Sequence, residues 1–313
     1  LIQEEGNNFA LRAWDWMYYS EKVRKRKYDF DSAEVQPYLE MDSIRDSAFE
    51  LANRLFGIKF VQKNDIPKYH PDVDTFEVLD KNDEHLGVFL TDYFARPSKQ
   101  GGAWMNTFRD QSNFDGRVRP IVLNVCNFAK PNDGEKAFLT FEHAETLFHE
   151  FGHVLHNGIG KSKYTRFVGA NCEWDFVEAP SQIMEHWVWK VECLKRISKH
   201  IETSEPLTEQ LCEKLNDSKN IGVSLLALRQ VSFGLADQHM HGENFNDDLL
   251  QIEQASQLVT NIKYPKDTNH LAAFGHLLGG YDAAYYGYLW AEIIGDDLFS
   301  RFEKEGVLSL IHI

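Results

Sequence analysis

Cysteine is scarce, with four in 313 residues. Cys126, Cys172, Cys193 and Cys212 stand far apart and form no C-x-x-C pair. That spacing excludes a disulfide framework and a thiolate zinc site, and it favours a reducing, cytoplasmic setting. No apolar run approaches the roughly 20 residues that cross a bilayer, so no membrane partner is expected. Positive charge is in deficit: 33 Lys+Arg against 48 Asp+Glu give a formal net charge of −15. This balance argues against holding a phosphate backbone, so no nucleic acid is expected either. The one basic run, Arg24 to Lys27, reads as a solvated helix face. Low-complexity linkers, internal repeats and a G-x-S-x-G nucleophile motif are all missing. The first residues carry no charged-then-apolar signal pattern, although a chain that starts at Leu1 leaves room for a targeting segment upstream. What remains is 43% hydrophobic and 26% charged, a globular composition long enough for a large core.

Patterning divides the chain into three stretches. Residues 1–65 read as helical, with Leu11, Trp14, Met17 and Tyr18 on one face and Ile44, Ala48, Leu51 and Leu55 on another. Between Thr75 and Asn127 the period changes. Phe76–Leu79 and Gly87–Leu90 flank the turn-forming Asp80-Lys81-Asn82-Asp83, and Ile121–Val125 is a compact β-branched run. The loop Pro97–Gly102 connects two of the strands. Helical periodicity then returns in 174–202, 207–217, 220–241, 244–260 and 283–304. The expected architecture is mainly α, with a small, mostly antiparallel sheet lying before one central helix, in a single catalytic unit over 1–313.

That central helix carries the most informative residues, His149-Glu150-Phe151-Gly152-His153. Phe141, Ala144, Leu147, Phe148, Phe151, Val154 and Leu155 recur at three- and four-residue steps, as a helix with one buried face requires. Thr140 is the expected N-cap, without a capping box, and Gly158 and Gly160 supply the stop. Positions i and i+4 share a face, so His149 and His153 can reach one metal ion while Glu150 acts on a water beside it. An ordinary core helix with inert, hydrogen-bonded histidines is the competing explanation of a bare H-E-x-x-H.

A zinc hydrolase needs a third protein ligand and one open position. Glu178 follows His153 by 25 residues, room for a loop and the start of a second helix, and Pro180 suits a first helical turn. Glu173 and Glu185 compete for the same role.

Taken together, several longer segments resemble the thimet oligopeptidase family of zinc peptidases, which includes neurolysin, oligopeptidase A and peptidyl-dipeptidase. They are Phe148–His153, Asp175–Gln182, His276, and Gly279 through Trp290. Ala13-Trp14-Asp15, Ala95-Arg96-Pro97, Gly101–Trp104 and Phe302–Gly306 match as well. The resemblance runs in order along nearly the whole chain. It implies a zincin-like fold, short peptides as substrates, and one Zn2+ per chain held by His149, His153 and Glu178, with Glu150 as general base. It also implies that His276, Tyr281, Tyr285 and Tyr288 form a substrate-facing wall, with Tyr288 and Tyr281 at the reacting carbonyl. The glycines at 275, 279, 280 and 287 fit a segment that closes over substrate.

Members of that family are about twice as long. The resemblance therefore implies a fragment that lacks the family's N-terminal helical region and the extreme C-terminus, with Ser309–Ile313 leaving the pattern. A monomer is expected. Tyr281-Asp282-Ala283 is similar to the endo-acting members, whereas Gly101–Trp104 and Asn124–Asn127 are closer to the bacterial oligopeptidases and peptidyl-dipeptidases. Release of C-terminal dipeptides is thus one alternative to internal cleavage, and a truncated, non-catalytic peptide-binding protein is another.

Overall fold

The computed structural model describes residues 1–243, 248–262, 264–265 and 268–308. Its longer elements run α1 (Trp16–Tyr28), α2 (Met41–Phe56), β1 (Lys59–Gln62), β2 (Asp74–Leu79), β3 (His85–Phe94), β4 (Trp104–Arg109) and β5 (Ile121–Phe128). They continue with α3 (Phe141–Gly158), α4 (Ala179–Trp189), α5 (Val191–Ile197), α6 (Glu209–Ser218), α7 (Val223–His241), α8 (Leu249–Gln257), α9 (His270–Ala273) and α10 (Gly287–Glu305). They form two compact units, one of residues 1–32 and 213–290, the other of 33–212 and 291–313. Among the described residues no helix is long and apolar enough to cross a membrane.

The larger unit is built on a five-stranded sheet of order β1-β2-β3-β5-β4. Three of its pairings are antiparallel, as a mostly antiparallel sheet requires, and β3–β5 adds one parallel pairing. The Asp80–Asp83 turn does join β2 to β3, and the Pro97–Gly102 loop lies between β3 and β4. That loop is tied down from inside. Asp92, 2% exposed, takes both guanidinium arms of Arg96 at 2.7 and 2.8 Å, the Lys99 ammonium at 3.2 Å and the Tyr69 hydroxyl at 2.8 Å. Asn127 Nδ2 donates to the carbonyls of Gln100 and Gly102, both at 2.8 Å.

Within residues 1–65 the expectation of helix fails at β1. Gly57 takes a φ of 69°, which ends α2, and the Lys-Phe-Val-Gln run beyond it pairs with β2 instead. Ile44, Ala48, Leu51 and Leu55 are buried on α2 as their spacing requires. Phe49 of α2, Phe60 of β1, Phe76 of β2, Phe89 of β3 and Phe151 of α3 make one aromatic cluster, with Phe49–Phe60 stacked at 4.2 Å and Phe60–Phe151 at 5.5 Å. Phe151 lies about 200° around the helix from His149. Burying that ring therefore turns the histidine face of α3 away from the cluster.

In the smaller unit, Phe233 and Ala236 of α7 pack with Ile252, Leu271, Phe274, Leu277 and Tyr285 as a second core. Here the face expected to hold Trp14, Met17 and Tyr18 is open, at 67, 66 and 60% exposure. The Arg24–Lys27 run is a solvated face, with Lys25 paired to Asp31 and Arg26 to Glu4. The helix expected over 174–202 splits into α4 and α5 at Lys190, whose extended backbone (ψ 127°) closes one and opens the other. Residues 244–247 of another expected helix and Ser309–Ile313 lie outside the described residues.

Candidate metal centre

Helix α3 starts at Thr140, whose Oγ1 accepts from the His143 amide at 3.2 Å, and ends with Gly158. Its motif face meets α4 through Gly152. A Cβ there would lie 2.4 Å from the Pro180 carbonyl oxygen and 2.6 Å from Ser181 Cα. Only a residue without a side chain lets the two backbones approach this closely, and the approach carries Glu178, just before α4, to the two histidines.

His149 Nε2 and His153 Nε2 lie 3.2 and 3.1 Å from the same oxygen, Glu178 Oε2. The three ligand atoms all fall within 4.8 Å of one another. Two ligands at about 2.0–2.1 Å from a tetrahedral zinc are separated by roughly 3.3 Å, so this donor set fits that ion. Of the rival carboxylates, Glu185 lies on the other side of His149, with Oε1 2.5 Å from Nδ1. That is the place of a carboxylate that orients a liganding imidazole. Ser181 Oγ, fully buried, sits 3.0 Å from Glu178 Oε2.

Electrostatics within the trio agree with its chemistry. Burial disfavours an imidazolium at His149, yet Glu178 and Glu185 together outweigh it and hold its pKa well above the histidine range. Burial would also raise Glu178, but both imidazoles hold its carboxyl well below the usual range. Metal uptake by such a set is linked to proton release. Glu150 is different. It is 5% exposed, its Oε2 has no hydrogen-bond partner, and burial lifts its pKa above the carboxylate range despite the neighbouring imidazoles. A buried acid with a spare oxygen beside a candidate metal trio is placed for proton transfer.

The remaining candidates all fall in the smaller unit. His276 lies 5.5 Å from the rings of Tyr281 and Tyr285 and 5.9 Å from that of Tyr288. Tyr281 and Tyr288 stack at 5.1 Å. Tyr285 turns inward instead, 6% exposed, its hydroxyl donating to Gln230 at 2.9 Å. The structure thus gathers the eight candidates into two groups, four in each unit.

The sequence profile of peptidase family M3 matches residues 1–311. The chain belongs to peptidase family M3. Among its M3 relatives, dipeptidyl carboxypeptidase of Escherichia coli K12 is 37% identical over 316 residues, covering 99% of this chain and 46% of that protein. Oligopeptidase A of the same organism is 39% identical over 307 residues, 96% of this chain and 45% of that protein. The organellar oligopeptidase A of Arabidopsis thaliana is 35% identical over 311 residues, 95% of this chain and 39% of that protein. The chain therefore spans less than half the length of these relatives.

Three residues of this M3 chain matter to the two groups in roles that sequence reasoning does not reach. Gly152 was visible inside the motif, but its contact with α4 is a tertiary fact. Glu185 was weighed as a ligand, although its place seven residues after Glu178 puts it two helical turns further along α4. Asp237, buried on α7, has no signal beyond being an acid on a helix.

Proposed function

We propose that the protein hydrolyses peptide bonds in short oligopeptides as a zinc-dependent peptidase, with one zinc per chain held by His149, His153 and Glu178. The observation that carries this reading is the meeting of two imidazoles on one carboxylate oxygen, beside a buried acid with a spare oxygen. Zinc in such a set supplies Lewis acidity and lowers the pKa of a water to about 7. Glu150 accepts the proton of the attacking water and delivers a proton to the departing amine. Its burial and its spare oxygen suit a group that must hold that proton between the two steps. Glu185 keeps His149 in the tautomer that presents Nε2. Tyr288 donates its hydroxyl to the oxyanion, with Tyr281 and His276 beside it on the substrate side and Tyr285 as buried support. No covalent intermediate is required.

Glu150→Gln tests this directly. The variant is expected to keep one zinc per chain while kcat/KM on a blocked peptide falls by about 10²–10⁴-fold; undiminished turnover would remove Glu150 from the reaction. Because relatives named for dipeptide release and for oligopeptide cleavage are similar to nearly the same degree, 37 and 39% identical, mass spectrometry of products from blocked and unblocked peptides decides the cleavage mode. Internal cuts in both support an oligopeptidase, whereas dipeptides from the unblocked peptide alone support a dipeptidyl carboxypeptidase. Four cysteines outside any disulfide, three of them buried, fit the cytoplasmic enzyme of this reading, which we take to act as a monomer.

A further inference from the structure

The stretch from Gly279 to Tyr286 has no long regular element of its own, yet it carries two of the stacked and buried tyrosine rings. Gly280 has a φ of 101° and Ala283 a φ of 60°. The second is a left-handed conformation that a residue with a Cβ adopts only when its surroundings impose it. The imposing group lies on α7. Asp237 is 0% exposed, and its Oδ1 accepts the Ala283 amide at 2.8 Å while Oδ2 accepts the Tyr285 amide at 3.0 Å. His241 Nδ1 lies 2.9 Å from the same Oδ1. Gln238 Nε2 donates to the Ala283 carbonyl at 2.9 Å, and Gln230 takes the Tyr285 hydroxyl. One helix face, at positions 230, 237 and 238, therefore grips this segment through both its backbone and a side chain.

These amides lie ahead of α10, so no helix supplies them with an acceptor and Asp237 does. A carboxylate is the group suited to two at once, since each oxygen accepts one charge-assisted bond. An asparagine offers a single acceptor oxygen and turns its NH2 toward the second amide.

We propose that Asp237 is a positioning residue: it clamps Ala283 and Tyr285 and thereby sets the orientation in which Tyr281 and Tyr288 meet substrate. The proposal rests on the peptidase reading for its consequence, though not for the clamp itself, and the experiment separates the two. Hydrogen exchange read by mass spectrometry over residues 281–288 is compared in the wild type and Asp237→Asn, with α3 as internal reference. Exchange in this segment is expected to rise about tenfold, the loss of one strong hydrogen bond, with α3 and zinc content unchanged. In a double-mutant cycle, Asp237→Asn is expected to lower kcat about tenfold with KM within about twofold, and to change kcat less than about twofold once Tyr288→Phe is present. Unchanged exchange would overturn the clamp. Equal losses of kcat in both backgrounds would overturn its action through Tyr288. If Asp237→Asn fails to fold, Gln238→Ala removes one exposed bond to the same segment, and it is expected to raise exchange at 281–285 by a few-fold; no rise would count against the clamp. A wild type that binds no zinc and cleaves no peptide would refute the peptidase reading and leave the exchange result to judge the clamp.

Discussion

The two groups of candidate residues are held in place by different physics. His149 and His153 ride on a regular helix and Glu178 directly precedes another; a glycine contact sets the spacing of the two helices and a buried phenylalanine cluster sets the rotation of the first. Tyr281 and Tyr285 sit in a stretch of irregular backbone gripped by a few hydrogen bonds from α7, and Tyr288 follows it. Packing of this kind resists displacement by fractions of an ångström, which a metal site demands. A hydrogen-bonded segment yields more easily, which suits the substrate-facing role proposed for these residues.

The comparison is most easily broken in the larger unit. Asp92→Asn leaves the Arg96 and Lys99 cations facing a neutral group in the interior, and it is expected to lower stability by about 3–5 kcal/mol in urea unfolding at neutral pH. Arg96, Tyr69 and Lys99 outweigh the effect of burial and hold the Asp92 pKa below the ordinary carboxylate range. A lowered carboxyl pKa contributes stability that is complete above the ordinary value and lost as pH falls through the folded one. The gap between wild type and variant is therefore expected to narrow in acid; a gap that widened there would reverse the assignment.

Tyr288→Phe probes the other group. Loss of one oxyanion donor is expected to reduce kcat by about 10²–10³-fold with little change in KM. A change confined to KM would make Tyr288 a ground-state binding residue. Gly152→Ala sharpens the contrast from the metal side, because a new methyl must push α4 away. About 1–3 kcal/mol of destabilisation is expected, together with weaker zinc binding in chelator competition. Unaltered zinc affinity would show that the helix approach is not what brings Glu178 to the histidines.

Regular periodicity explains what could be read in advance. The i, i+4 histidines, the Thr140 cap, the α2 face and the β2–β3 hairpin are local patterns, and each stands where its residues place it. β1 was hidden because four residues after a helix carry too little periodicity, and its pairing with β2 is not local. The parallel β3–β5 pairing is likewise a matter of topology that no single segment encodes. Glu185, Gly152 and Asp237 act through partners between 28 and 48 residues distant in sequence. Their roles emerge only when the chain is folded.

The central claim is that two imidazoles and a later carboxylate take up a single zinc ion, and elemental analysis after dialysis tests it most directly. The wild type is expected to retain one zinc per chain and Glu178→Gln markedly less. A wild type that holds no zinc, or a variant that holds as much, would contradict it.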